Sequence, residues 1–94
     1  MTSYKRRQLK KAEQVGLAYA RDLFERFKGP DMRGPKFTWE GFPSMLRPLV
    51  EASAFTAFRY KIGRDIEQYA GEIAYREAER LVSEAGLAEE VPLG

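Results

Sequence analysis

The feature that most constrains the fold is a long proline-free stretch near the start of the chain. Between residues 3 and 28 the sequence has one glycine and no proline, and apolar residues recur at three- and four-residue spacings. These positions are Leu9, Ala12, Gly16, Tyr19, Ala20, Leu23, Phe24 and Phe27. Such spacing is typical of an amphipathic helix. Thr2 or Ser3 supplies an N-cap and Gly29-Pro30 a stop, so the sequence predicts a first helix over residues 3–28.

Two more helical patterns follow. Pro48 suits a first helical turn with Ser44 as its cap, which predicts a second helix over residues 45–62. Asp65 starts a capping-box pattern and Gly86 is a good C-terminal stop, which predicts a third helix over residues 65–85. Because the apolar phase continues across Gly63, one bent helix in place of the second and third is an alternative.

The fold class predicted from these patterns is all-α, a single three-helix domain over residues 1–94 with a short tail at 87–94. Residues 29–43 hold three of the five prolines and three of the eight glycines, which indicates a loop between the first two helices. Within it, residues 36–40 alternate in a way that also allows a short extended segment. The predicted core is Tyr19, Leu23, Phe27, Leu49, Phe55, Phe58, Ile62, Ile66, Tyr69, Ile73 and Leu81.

Composition excludes several kinds of chemistry. The chain has neither cysteine nor histidine, so disulfides, thiolate metal sites and histidine-dependent triads are impossible. The loop carboxylates Asp31 and Glu40 remain as an acid and base pair or a Mg²⁺ site, but two unlinked carboxylates among 14 acidic residues are expected by chance. We therefore expect a protein that is not an enzyme, with no cofactor, no metal and no small-molecule substrate.

Hydropathy gives no sign of membrane insertion. The uncharged run in the middle of the chain, residues 52–58, is far shorter than the roughly 20 apolar residues that cross a bilayer. The basic start of the chain lacks the apolar segment of a secretory signal. We expect a cytoplasmic protein that has no membrane partner.

Charge is divided unevenly along the chain. Residues 1–64 carry 14 basic and 6 acidic side chains, a net charge of +8, whereas residues 65–94 carry 2 basic and 8 acidic ones, a net charge of −6. This separation steers a negative partner to one part, joins copies head to tail, or is cancelled where the two parts pack together. In the third helix, Asp65, Glu72 and Glu79 form an acidic face that is either salt-bridged in solvent or receives a cationic partner or the first helix of another copy.

The clearest candidate binding feature is a basic stripe on the first helix. Its candidate contact residues are Lys5, Arg6, Arg7, Lys10, Lys11, Arg21 and Lys28. Of these, Arg7, Lys10, Arg21 and Lys28 fall within about 60° of one another on a helical wheel, opposite the apolar face. Such a stripe follows phosphates without reading sequence, or is only a solvated helix face.

Three aromatic residues in the loop are the second candidate. Phe37, Trp39 and Phe42 lie among prolines and glycines and not on a regular apolar face. If exposed, they form a protein-binding anchor or a base-stacking platform. The alternative is that they fold inward and close the end of a small core.

The stretch from Gly63 to Gly86 resembles the later part of the long central helix of archaeal histones. The matched residues are mostly Ala, Glu and Ile, which any amphipathic helix supplies, and the chain departs from that family after Gly86. The sequence therefore assigns no family.

Together these features predict a non-catalytic helical adaptor or regulatory protein that binds a protein partner or itself as a homo-oligomer. The contact surface is the basic helix with the aromatic loop. The alternative is a nucleic-acid-binding protein that uses the basic first helix on phosphates. A small enzyme at Asp31 and Glu40 is the third option.

Overall fold

The computed structural model describes residues 3–29, 34–59 and 61–87, and within these ranges the chain forms three α-helices and no strand. The helices are α1 (Ser3–Phe27), α2 (Phe42–Ala57) and α3 (Arg64–Glu84). This confirms the predicted all-α, three-helix fold class. Gly86 follows α3 with a φ of 69°, the left-handed stop that its glycine allows. Asp31 and residues 88–94 of the predicted tail lie outside the described residues.

The boundaries of α2 differ from the prediction. The helix begins at Phe42, three residues early, and ends five residues before position 62. Pro43 occupies the first turn, whereas Pro48 lies inside the helix and Ser44 is helical instead of a cap. Pro48 is tolerated there because it lies on the exposed side, where water can hydrate the carbonyl that its missing N–H leaves without a donor.

α2 and α3 are separate helices, so the bent-helix alternative is wrong. Arg59 adopts a left-handed backbone with a φ of 54°, which ends the helical path directly after α2. Gly63 is the N-cap of α3, in an extended conformation. Asp65 is therefore not the cap, and its carboxylate pairs instead with Lys5 Nζ at 3.1 Å.

A seam of small residues joins α1 to α3, and α3 also packs along α2. The buried small residues are Ala12, Gly16 and Ala20 of α1 and Ala70, Ala74 and Ala78 of α3. A Cβ added to Gly16 would lie 2.6 Å from the carbonyl oxygen of Ala70, which is too close for two atoms without a bond. The two helix backbones therefore approach as closely as glycine and alanine allow.

The predicted core is only partly correct. Ile66 is buried, but Tyr19 is 41% exposed and Leu49 is 50% exposed. The remaining predicted core residues are half-buried: Leu23, Phe27, Phe55, Phe58, Ile62, Tyr69, Ile73 and Leu81. The prediction chose large side chains and took the phase of α2 from Pro48. The buried stripe of α2 repeats every four residues from its true start and consists of Phe42, Leu46, Val50 and Ala54.

Candidate functional site: a basic groove at one end of the bundle

The three-helix bundle has two ends. The aromatic residues of the loop close one of them, which we call the aromatic end. Residues 36–40 form no strand, and positions 36, 39 and 40 lie in turns, so the extended segment that their sequence allowed is not found. Trp39 is only 5% exposed and Phe42 is fully buried, with their ring centroids 5.4 and 6.4 Å from that of Phe24. Phe37 stacks on Phe27 with nearly parallel rings 5.1 Å apart. The inward-folded alternative is therefore the one found, and Trp39 and Phe42 offer no exposed platform.

The predicted basic stripe is divided, because two of its cations at the aromatic end have acidic partners. Arg21 Nε lies 2.7 Å from Glu77 Oε2, and Glu77 is 6% exposed. Lys28 Nζ lies 3.2 Å from Glu25 Oε1 and 5.1 Å from the centroid of the Phe24 ring. These two basic groups are therefore part of the packing of this end.

Among the residues that the structure describes, Glu77 is the buried charged side chain. Arg80, which donates two hydrogen bonds to it, and then Arg21 hold the pKa of the Glu77 carboxyl below its usual value, against the opposing effect of burial. The hydrogen bonds that Arg80 donates to Glu77, together with a further one to Glu84, raise the pKa of Arg80. Glu77 is therefore a stabilising anion at pH 7 and has no spare proton for acid and base chemistry.

Ion pairs also join the basic first part of the chain to the acidic last part. Lys5 pairs with Asp65, and this contact holds the pKa of the Asp65 carboxyl below its usual value. Arg47 Nη2 lies 2.9 Å from Glu72 Oε2, and Glu72 also pairs with Arg76. The charge separation of the sequence is thus partly cancelled inside one molecule.

A groove remains at the other end of the bundle, between the start of α1 and the connection from α2 to α3. We call it the basic groove, and it has a volume of about 540 Å³. Its lining residues are Tyr4, Arg7, Gln8 and Lys11 of α1 and Ala57, Phe58, Arg59 and Lys61 of the other wall. Gln8 Nε2 donates a hydrogen bond to the Lys61 carbonyl oxygen at 3.3 Å, and Lys11 Nζ lies 4.7 Å from the Phe58 ring centroid. These contacts join the two walls.

The basic groove is lined by four cations that have no acidic partner. Within the described ranges, no ion pair involves Arg7, Lys11, Arg59 or Lys61, and the lining contains no carboxylate. Arg6 and Lys10 are exposed on the same part of α1 and also take part in no ion pair there. Because these like charges repel one another, a bound anion would stabilise this concave surface.

Sequence reasoning found one wall of this groove and missed the other. Arg7 and Lys11 were candidate binding residues, whereas Tyr4, Arg59 and Lys61 were not. The prediction placed Arg59 and Lys61 at the end of a longer second helix. The available signal was the pair of cations at Arg59 and Lys61, four and two residues before Gly63, provided that this segment is read as a connection between helices.

Comparison of the chain with protein-family models, curated proteins and solved structures finds no match. No three carboxylates in the described part of the chain are grouped in a way that would hold a metal ion. None of the helices α1, α2 and α3 has the length and apolar composition that crossing a membrane requires. The geometry of the basic groove is therefore the main guide to function.

Proposed function

We propose that this protein is a non-catalytic binding protein and that its partner is nucleic acid, held by phosphate contacts in the basic groove. The observation that supports this most is the set of four cations on two facing walls, with no carboxylate among the lining residues that the structure describes. Lysine and arginine at such a surface gain affinity by displacing the counterions of phosphates.

Two further observations favour this function over the aromatic-loop adaptor surface. The loop aromatics are needed in the core, so Trp39 and Phe42 have little surface left for a partner. Of the predicted stripe, Arg21 and Lys28 are already paired at the aromatic end, whereas the four cations of the basic groove take part in no ion pair within the described ranges. We identify no base-reading motif among the described residues, so we expect binding that depends weakly on sequence.

The test is fluorescence anisotropy of labelled oligonucleotides at about 50 and 200 mM salt. Four phosphate contacts predict an affinity that falls roughly 50- to 150-fold between these concentrations. Arg7→Glu should weaken binding roughly 5- to 20-fold at about 0.1 M salt, since it removes one contact and adds repulsion. The matched control is Lys36→Glu, which changes the net charge equally at an exposed site outside the groove.

Equal loss from both variants would show that net charge alone matters and would overturn the proposal. Polyglutamate at the same charge concentration serves as a competitor. If it displaces the oligonucleotide as well as unlabelled oligonucleotide does, the partner is an acidic protein surface and not nucleic acid.

A second candidate is head-to-tail self-association, as expected of a homo-oligomeric adaptor. Glu40 and Glu79 line a cavity of about 240 Å³ beside Trp39, and within the described ranges neither carboxylate takes part in an ion pair. These acidic groups complement the basic groove at the opposite end of the bundle, and such a contact between copies is open-ended. Sedimentation at low and high salt tests it: oligomers that dissociate with salt, and that Glu40→Gln with Glu79→Gln abolishes, are the expected result.

A further inference from the structure

We infer that the nucleic acid bound in the basic groove is single-stranded and that Tyr4 stacks on one of its bases. This rests on the proposed function and adds to it the form of the strand and a residue that recognises it.

Among the large apolar side chains of the described residues, Tyr4 is the most exposed, with 64% of its surface open to solvent. It lies on the groove wall one helical turn before Arg7 and two turns before Lys11. An aromatic ring next to a line of cations is the arrangement by which proteins hold a single strand, because the ring stacks on a base face while the cations bind the backbone. In a duplex the base faces are already stacked on each other.

The shape of the groove also favours a single strand. Duplex DNA is read by an element that protrudes into a groove about 12 Å wide. Here the cations lie on two facing walls of a concavity, with Arg7 and Lys11 on one side and Arg59 and Lys61 on the other. A flexible strand can enter such a concavity and meet both walls, whereas a duplex meets its rim.

Phe58 adds a second ring to the groove. It is half-buried and has Lys11 Nζ 4.7 Å from its centroid, so Lys11 is held near the groove wall. The hydrogen bond from Gln8 to the backbone carbonyl of Lys61 fixes the opposite wall against α1 before a ligand arrives. A site formed in advance loses less entropy on binding.

The test compares a labelled oligothymidine of about 12 nucleotides with a duplex of the same length, a size in the range that small single-strand binding sites cover. The variants are Tyr4→Leu, which keeps an apolar helix-forming residue without a ring, and Tyr4→Phe, which keeps the ring. We expect Tyr4→Leu to weaken single-strand binding roughly 5- to 150-fold and to leave duplex binding unchanged, and Tyr4→Phe to bind within about twofold of the wild type. Circular dichroism checks that the helical content of each variant is unchanged.

The outcomes separate the two proposals. If Arg7→Glu weakens binding but Tyr4→Leu does not, or if the duplex binds as tightly as the single strand, the stacking inference is overturned and the phosphate-binding function stands. If neither oligonucleotide binds at low salt, the proposed function itself fails.

Discussion

The two ends of the bundle differ in the burial of their aromatic rings and in the pairing of their charges. At the aromatic end, the rings of Phe24, Trp39 and Phe42 are buried together and the charge of Arg21 is balanced by Glu77. At the other end, the four cations of the basic groove take part in no ion pair with the residues that the structure describes, and Tyr4 is exposed. α1 extends roughly 37 Å between these two environments.

This difference shows where stability and binding are located. Buried rings and paired charges lower the free energy of the folded state, whereas clustered like charges raise it by repulsion. The basic end also contains Arg59 in a left-handed conformation that costs a non-glycine residue about 1 to 2 kcal/mol. We interpret the aromatic end as the stabilising end and the basic end as the binding end, and the following predictions test that division.

The largest effect is expected from truncation at the aromatic end. Trp39→Ala should lower the free energy of unfolding by about 3 to 5 kcal/mol, because it removes a buried ring that contacts Phe24, Phe37 and Phe42. Urea unfolding followed by circular dichroism measures the change.

Tyr4→Ala is the control at the basic end, with an expected loss within about 0.5 kcal/mol because the ring is mostly in solvent. An equal loss in both variants would contradict the division between the ends. Phe42→Leu, a milder change, provides a folded variant if Trp39→Ala does not fold.

The seam between the ends should be the next most sensitive region. Gly16→Ala should cost about 1 to 3 kcal/mol, since the added Cβ meets the backbone of Ala70 and α1 and α3 must separate. Gly34→Ala is the control, because no atom lies within 4 Å of its added Cβ. Thermal unfolding of both variants measures the difference, and a Gly16→Ala protein as stable as the Gly34→Ala protein would show that the seam is not tightly packed.

The sequence predicts where the helices begin and end better than it predicts which face of each helix is buried. Helical spacing and the punctuation by Gly29 and Gly86 place α1 and α3 to within one or two residues. The start of α2 was missed because two prolines each suit a first turn, and only packing of Phe42 against Phe24 selects Pro43. An error of this kind shifts the predicted buried face, which is why Leu49 was placed in the core.

Only one wall of the basic groove could be predicted from the sequence, for a similar reason. Arg7 and Lys11 are visible as cations on one helix, a local pattern. The opposite wall depends on where α2 ends and on how the chain turns at Arg59, which are consequences of tertiary packing. The pairing of Arg21 with Glu77, 56 residues away, likewise has no local signal.

A paired charge should contribute a moderate amount to stability. Glu77→Gln should lower the free energy of unfolding by about 1 to 2 kcal/mol at pH 7, since it weakens hydrogen bonds from two arginines that are themselves half in solvent. The pKa of Glu77 is lower in the folded state than its ordinary value of 4.5. Its contribution is therefore complete above that value and is lost as the pH falls through the lower pKa of the folded state.

Urea unfolding at pH 7 and at successively lower pH values tests this prediction. The wild type should lose its advantage over Glu77→Gln as the pH falls below about 4.5. A difference between the two proteins that stays constant down to acid unfolding would show that the carboxylate charge is not the source of the effect.

The remaining expected change in stability is small, has the opposite sign and is at the basic end. Arg59→Gly should raise the free energy of unfolding by up to about 1 kcal/mol, because glycine adopts the left-handed conformation without strain, although part of this gain is offset by the freedom of glycine in the unfolded chain. The same change removes a cation from the groove and should weaken oligonucleotide binding roughly fivefold at about 0.1 M salt.

Arg59→Lys is the matched control, since it keeps both the charge and the strain and should leave stability and affinity close to those of the wild type. A glycine variant that is more stable and binds less tightly would show that the strained arginine serves binding at the expense of folding. Unchanged affinity would remove Arg59 from the binding surface.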